Sequence, residues 1–190
     1  MGKRSCPNYL PIMSQIEPSI ACVELALRDP NYPDLAEAFG YWEEKRGARF
    51  APARADIEPL DLVQVLPRVM LADVAHDPVE FRYRLSGTGI ARIHGAEPTG
   101  LRPRDLEPAE YGALIDRHYR QCVAERRPLL HLIILDATHR SRAYARLLLP
   151  LSNDGERVTM LMAIDGANQD ARELKSYFAR YVAPKIAPKS

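Results

Sequence analysis

The chain has few of the features that would tie it to an oxidising compartment, a membrane or a polyanion. Its 190 residues include three cysteines at wide spacing, Cys6, Cys22 and Cys122. This odd number argues against a disulfide scaffold and favours a reducing, cytoplasmic location. Apolar runs such as Leu147–Leu151 are far shorter than a membrane span. The formal net charge is only +1, so the bulk charge does not direct the chain to nucleic acid or anionic lipid.

Motifs of catalysis and of nucleotide binding are also missing. Gly87-Thr88-Gly89 follows a predicted strand, but Arg92 stands where the third glycine of a dinucleotide fingerprint belongs. Gly95 and Gly100 have the spacing of a phosphate loop, but Leu101-Arg102 replaces its Lys and Ser or Thr. The sequence contains no G-x-S-x-G, H-E-x-x-H or C-x-x-C pattern. We therefore predict no catalytic residue, no metal site and no enzymatic activity.

Apolar periodicity predicts where the helices lie. Leu35, Ala38, Phe39 and Trp42 recur at three and four residues, which indicates a helix from Asp34 to about Gly47. A second, longer helix with a similar stripe is predicted over 111–125, and Pro128 prevents its continuation. Three further segments fit shorter helices, namely 20–28, 60–66 and 174–182.

Five segments have the character of strands. Phe81, Tyr83 and Leu85 alternate with two arginines, which is typical of a strand with one wet face. The other predicted strands are 69–74, 129–135, 142–151 and 158–164, and Asp154-Gly155 predicts a hairpin between the last two. The order of elements predicts an α+β fold with one antiparallel sheet. We divide the chain into an irregular segment 1–33, a helical extension 34–67, a core 68–165 and a C-terminal helix and tail 166–190.

The last two strands are apolar on both faces, so the outer side of the sheet needs a cover. A flanking helix or a second subunit could supply it. The helix that carries Phe39 and Trp42 and the helix from Leu174 to Val182 are the candidates, and either one could instead form a dimer seam.

Several motifs in order resemble a PAS domain. They are Tyr83-Arg84-Leu85-Ser86-Gly87-Thr88-Gly89, then Gly95 and Pro98-Thr99-Gly100, then the 111–125 helix with Arg127-Pro128, and the strand that ends in Pro150-Leu151-Ser152 ahead of Asp154-Gly155. Tyr41-Trp42, Lys45-Arg46-Gly47 and the segment 52–67 precede this core, as in the stand-alone bacterial PAS-like sensor proteins. The resemblance covers about 39–164.

This resemblance implies a five-stranded antiparallel sheet that cups several small helices and one longer helix on one face. It also implies a small-molecule pocket lined by the inward faces of these elements. The residues that we expect to line it are Phe81, Tyr83, Leu85, Ile90, Ile93, Ile115, His118, Tyr119, Cys122, Leu147 and Leu161. A dry, filled core is the alternative for the same residues.

Two known PAS cofactors can be compared with the residues. Flavin photosensors of this kind carry a cysteine on a small helix, and the matching segment 90–100 has none, so flavin–cysteine photochemistry is not expected. Haem-binding members take an axial histidine from the longer helix, where His118 stands, so haem is a hypothesis for this position. The ligand itself is not identified by the sequence.

The resemblance implies a non-enzymatic, cytoplasmic sensory or regulatory module. It would bind a small ligand, signal through protein contacts, or do both, as a homodimer or with a separate signalling protein. Neither nucleic acid nor a membrane is expected as a partner. A ligand-free interaction adaptor is one alternative. A cone-shaped α+β isomerase is another, and Asp73 and Tyr119 are the pair that could serve it.

Overall fold

The computed structural model describes residues 20–137, 140–167 and 171–179. One sheet of six antiparallel strands organises the fold, in the order β1-β4-β5-β6-β2-β3. The strands are β1 Ile20–Leu25, β2 Val69–Ala75, β3 Glu80–Ser86, β4 Leu129–Ala137, β5 Arg140–Leu151 and β6 Met160–Asp165. The helices are α1 Pro33–Arg46, α2 Thr88–His94, α3 Ala109–Glu125 and α4 Ala171–Phe178. The predicted α+β class with a single antiparallel sheet is confirmed.

The sheet has six strands where the sequence predicts five, because the segment predicted as a helix over 20–28 is the strand β1. Ile20 to Leu25 pair antiparallel with Leu135 to Leu130 of β4. Side chains in this segment are mostly exposed, so burial of an apolar face does not hold the segment in place. The edge of β4 offers unpaired backbone groups, and pairing with that edge decides the conformation.

The sheet separates two apolar clusters. On its inner face, α2, α3 and α4 pack against residues such as Ala72, Phe81 and Leu161. On its outer face, α1 and short 3₁₀ turns pack against residues such as Leu147 and Met162. The cover that the two-sided apolar strands require is therefore a helix of the same chain.

Helix α1 begins at Pro33, whose fixed φ suits the first turn, and ends before Gly47, which has a φ of 55°. Leu35, Phe39 and Trp42 face the sheet, as the spacing predicts. Trp42 Nε1 donates a hydrogen bond of 2.8 Å to the carbonyl oxygen of Pro150 on β5. This bond holds α1 against the centre of the outer face, so α1 of the same chain covers that part of the sheet.

The remaining predictions need local corrections. The predicted helix 60–66 is a pair of 3₁₀ turns, Pro59–Leu62 and Leu66–Arg68, because prolines at both ends interrupt it. The last predicted helix is present as α4, and the predicted positions 181 and 182 lie outside the described residues. Leu174 and Phe178 of α4 are buried against the inner face, so these two side chains are not free for a dimer contact.

No helix in the described part of the chain is long and apolar enough to cross a membrane.

Candidate functional site

Small residues in the middle of the inner face leave the long side chains around them room to meet. Ala72 of β2 and Ala163 of β6 are both buried there. Alternation along the strands turns Tyr83 of β3 and Tyr144 of β5 to the same face. Six buried polar residues meet over this floor and form what we call the polar cluster: Tyr83, Tyr111, Tyr119, Tyr144, Arg146 and Asp165.

The centre of the polar cluster is a buried ion pair. Arg146 and Asp165 are directly opposite each other on β5 and β6. Arg146 Nε lies 2.6 Å from Asp165 Oδ1, and Nη2 lies 3.1 Å from Oδ2. The side chains are 1% and 4% exposed. Burial acts against the charge on Arg146, but Asp165, Tyr111 and Tyr144 together outweigh it and hold the guanidinium pKa well above its usual value.

Two tyrosines join the helical layer to this pair. The hydroxyl oxygens of Tyr111 on α3 and Tyr144 on β5 are 2.6 Å apart. The guanidinium carbon of Arg146 lies 5.3 Å from the centroid of the Tyr144 ring, a cation–π contact. Burial raises the pKa of both hydroxyls, and Arg146 acts in the opposite direction. Both tyrosines therefore remain neutral near pH 7.

Three atoms of the polar cluster make no hydrogen bond of standard geometry with a described residue, and we call them the open polar atoms: Tyr83 Oη, Tyr119 Oη and Arg146 Nη1. The Tyr83 and Tyr119 hydroxyls nevertheless lie close enough to influence each other's pKa. The rings of Tyr83 and Tyr119 meet edge to face with centroids 6.1 Å apart. Burial raises the pKa of Tyr83, and it raises that of Tyr119 to about 12. Buried polar atoms are rarely left without partners, so these three are the candidate binding atoms of the cluster.

Neither a nucleophile nor a general base is evident in the polar cluster. The nearby Cys122 is buried, which raises its thiol pKa, and its Sγ donates a hydrogen bond to the Arg127 carbonyl oxygen 3.2 Å away. Asp165 is engaged by Arg146. In the described ranges, no group of three His, Cys, Asp or Glu side chains could hold a metal ion. The cluster is therefore suited to hydrogen bonding.

The pair proposed for an isomerase does not converge. Asp73 lies between Ala72 and Val74, which both pack on the inner face, so its side chain points to the other side. There it accepts a hydrogen bond from Arg84 Nε at 2.9 Å. Tyr119 is buried on the inner face. The sheet separates the two side chains, so they cannot share a proton relay.

His118 is oriented toward the β1 edge of the sheet. Its Nε2 lies 3.4 Å from Cys22 Sγ, and its ring stacks on His131 with centroids 3.8 Å apart. Burial, followed by the neighbouring His131, lowers the His118 pKa to about 3. The nitrogen that would coordinate iron faces Cys22, and His131 covers one side of the ring. This arrangement does not fit an axial ligand directed into the polar cluster.

Eight of the eleven residues predicted to line a pocket lie together in the inner apolar cluster, whereas His118 is turned toward the β1 edge and Leu85 and Leu147 lie elsewhere. The inner apolar cluster contains Phe81, Tyr83, Ile90, Ile93, Ile115, Tyr119, Cys122 and Leu161. Leu85 is 47% exposed, because the β2–β3 register shifts between Leu71 and Ala72. Leu147 belongs to the outer cluster, because it alternates with Arg146 along β5.

The sequence interpretation missed the ion pair and two of the tyrosines. Tyr144, Arg146 and Leu148 alternate along one face of β5, and this pattern was available in the sequence. An arginine within an apolar strand is a signal of a buried partner. The partner Asp165 ends the next strand, but only the β5–β6 register brings the two together.

A shallow cleft of about 160 Å³ opens beside this region. His94, Leu106 and Phe178 are among its lining residues. The His94 ring lies 4.1 Å from that of Phe178, and burial lowers the His94 pKa to about 3. Helix α4 thus forms one wall of the cleft and also closes the inner layer.

Comparisons with known proteins assign the chain to one family. No curated protein sequence matches the chain. A solved structure described as an RNA-binding Light-Oxygen-Voltage receptor is similar, with 16% sequence identity and a TM-score of 0.44. The match covers 68% of this chain and 39% of that receptor chain. The family model of the PAS domain matches residues 31–165, from just before α1 to the end of β6. The chain therefore belongs to the PAS domain family.

Proposed function

We propose that this protein is a non-enzymatic sensory module that binds a small molecule at the polar cluster and signals through contacts with a partner protein. PAS domains are sensory and regulatory modules, and membership of the family supports the general role. Ligand binding at this position is the specific part of the proposal. It places the bound molecule between the sheet and α3.

The open polar atoms carry the proposal. A buried polar atom without a partner costs roughly 1–3 kcal/mol, so keeping three of them together is costly for an apo core. All three belong to residues that are almost fully buried. A ligand that supplies the missing hydrogen bonds removes this free-energy cost, which adds to its affinity and selectivity.

A contiguous set of contacts connects the polar cluster to α4. Tyr144 lies against Arg146, the Tyr144 and Tyr111 hydroxyls share a hydrogen bond, and the Tyr111 ring meets Phe178 with centroids 5.0 Å apart. A ligand that moves Tyr144 or Tyr111 would change how well α4 docks. The signal would then be a shift in the population of docked α4.

Native mass spectrometry of the freshly purified full chain, with an absorption spectrum beside it, tests ligand binding. We expect a mass excess that disappears on denaturation and gives the stoichiometry of a co-purified small molecule. Because weak ligands can be lost during purification, thermal unfolding with a library of small metabolites follows. A clean apo mass together with no stabilising compound would contradict the proposal.

A ligand-free adaptor is the second candidate, and one surface favours it. Leu60 is 78% exposed and Val63 is 60% exposed. Val63 and Tyr41 line a cleft of about 170 Å³ between α1 and the 3₁₀ turn Pro59–Leu62, and Leu60 belongs to that turn. Exposed apolar side chains beside a cleft are typical of protein contacts.

The adaptor function is tested by sedimentation over a range of protein concentrations. If a homodimer uses this surface, the chain self-associates, and Leu60→Ser and Val63→Ser weaken the association. Leu101→Ser is the matched control, because Leu101 is an exposed leucine away from the cleft. Equal behaviour of all the variants would exclude this surface as the dimer contact.

A further inference from the structure

We propose that the cleft between α1 and the 3₁₀ turn Pro59–Leu62 docks a segment of another protein that presents lysine or arginine among apolar side chains. This inference rests on the proposed signalling through a partner protein, and it names the surface and the chemistry of that partner. The cleft, which we call the α1 cleft, has one wall on α1 and the other in the segment 61–65. The lining residues on the α1 wall are Asp34, Glu37, Ala38 and Tyr41.

Two apolar side chains at the α1 cleft are open to solvent. Val63 lines the cleft and is 60% exposed. Leu60, in the turn that forms the second wall, is 78% exposed, the highest value for a large apolar side chain in the described ranges. Leu62 and Val65 of the same segment are buried in the outer apolar cluster. One face of the segment therefore anchors it to the fold, and the other face offers apolar contacts to a partner.

The charged groups that line the α1 cleft are acidic. Its described lining residues include three carboxylates and no lysine, arginine or histidine. Glu37 is exposed and makes no hydrogen bond or ion pair with any described residue. Asp61 has Lys45 as a cation at 3.8 Å, and its side chain remains 47% exposed. A partner that brings positive charge to this surface is therefore complementary to it.

The same charges argue against a second copy of this chain as the occupant. A symmetric dimer across the α1 cleft would use the same patch on both copies. It would bring the acidic groups of the two copies together, and like charges across an interface are unfavourable. A separate protein with a basic segment avoids this repulsion.

Hydrogen bonds between the two walls hold the α1 cleft in one shape. The Glu58 amide donates a hydrogen bond of 2.8 Å to the Tyr41 hydroxyl, which joins the second wall to α1. Arg68 Nη1 lies 2.7 Å from Asp34 Oδ2, and both side chains are mostly buried. The same Asp34 oxygen accepts a hydrogen bond of 2.9 Å from the Ala167 amide. A site whose walls are already fixed loses less conformational entropy when a partner binds.

Arg68 also connects the α1 cleft to the polar cluster. Its Nη1 pairs with Asp34 and also donates to the backbone carbonyl oxygen of Asp165. The side chain of Asp165 pairs with Arg146 in the polar cluster. Two residues, Asp165 and Arg68, therefore separate Arg146 from the wall of the cleft. This connection places the docking surface within reach of the proposed ligand site.

Selection from a displayed library of random peptides, with the purified full chain as the target, tests the inference. We expect the selected peptides to be rich in lysine or arginine and in apolar residues, with few acidic residues. A synthetic copy of the best peptide is then titrated by fluorescence anisotropy, and its binding should weaken with added salt because exposed charges are screened. Selected peptides that are neutral or acidic, or a selection that yields no binding peptide, would overturn the inference.

Two variants localise the peptide. Leu60→Ser removes an exposed apolar contact and Glu37→Lys reverses a charge, and each should weaken peptide binding roughly tenfold. Leu101→Ser and Glu110→Lys are the matched controls, because both residues are exposed and neither lines the cleft. Substitutions at such exposed positions should leave the melting temperature nearly unchanged, which shows that each variant is folded. Equal binding by the cleft variants and the controls would place the peptide elsewhere and contradict the inference.

The outcomes also separate this inference from the ligand-binding part of the proposed function. If no basic peptide is selected but a small molecule is found bound to the chain, the docking surface is wrong and ligand binding stands. If a basic peptide binds at the cleft and no small molecule binds, the docking surface stands and ligand binding fails. Self-association that Leu60→Ser weakens, together with no selected peptide, would make a second copy the occupant and overturn the inference.

Discussion

At the scale of single residues, the inner face combines used and unused hydrogen-bonding groups. Tyr111 and Tyr144 bond to each other at 2.6 Å, whereas Tyr83 and Tyr119 make no hydrogen bond of standard geometry with a described residue. Removing a hydroxyl therefore has opposite consequences for the two pairs. A lost bond destabilises the fold, while the loss of an unpaired buried group does not.

Phenylalanine substitutions measure this difference in the ligand-free protein. Tyr144→Phe should lower the free energy of unfolding by about 1 kcal/mol, because it breaks a buried hydrogen bond. Tyr119→Phe should leave that free energy unchanged or raise it. Urea unfolding of each variant gives both values, and an equal loss for Tyr119→Phe would show that its hydroxyl has a partner in solution.

Breaking the buried ion pair should be far more costly. Asp165→Asn leaves Arg146 charged and almost fully buried, and we expect it to lower the free energy of unfolding by about 3–5 kcal/mol. Asp73→Asn is the matched control, since the Asp73–Arg84 pair is much more exposed and is worth less than about 1 kcal/mol. Chemical denaturation compares the two, and similar losses would mean that the buried pair is hydrated.

At the scale of elements, local sequence patterns predict the elements whose own residues determine their conformation. They miss the elements whose conformation depends on pairing with a distant strand. The five predicted strands are present because alternation and hairpin signals lie within each segment. β1 was predicted as a helix, because its strand conformation depends on a partner edge more than a hundred residues later. Within the site, Tyr83 and Tyr119 follow from local periodicity, whereas the Arg146–Asp165 pair depends on the register of two strands.

The start of α2 depends on close backbone packing at one glycine. A Cβ at Gly87 would lie 2.5 Å from the Leu66 carbonyl oxygen and would also collide with the carbonyl of Pro67. We expect Gly87→Ala to lower the melting temperature, because backbone must move to accommodate it. The control Gly40→Ala lies in α1, where the nearest atom to a new Cβ is 3.8 Å away. Because alanine favours helices, this control should gain up to about 1 kcal/mol, and equal effects would contradict the packing argument.

At the scale of the whole molecule, two histidines that are partly or wholly withdrawn from water make stability depend on pH. The folded pKa values of His94 and His118 are about 3, below the ordinary value of 6.5. Between these values the unfolded chain binds more protons than the folded one, so stability falls as the pH decreases. Above about pH 6.5 the two histidines are mostly neutral in the unfolded chain as well, so they no longer lower the free energy of unfolding.

Denaturant unfolding at several pH values measures this dependence. Each such histidine should contribute a slope of up to about 1.4 kcal/mol per pH unit. The range above roughly pH 5 isolates histidines, because carboxylates such as Glu24 and Glu80 titrate lower. His118→Gln should reduce the slope of the free energy of unfolding against pH by up to about 1.4 kcal/mol per pH unit, the contribution of one histidine. An unchanged slope would show that His118 is accessible to protons in the folded state.

The strand β1 has a consequence for how the protein is made. Ile20 pairs with Leu135, so this strand meets its neighbour only after 115 further residues have been added. At about 5–20 residues per second, that delay is about 6–23 s on the ribosome. Throughout this time the segment has no sheet to join, and its backbone groups are open to chaperones or to the same segment of another nascent chain. The first strand in the described part of the chain is therefore paired only after more than a hundred further residues have been made.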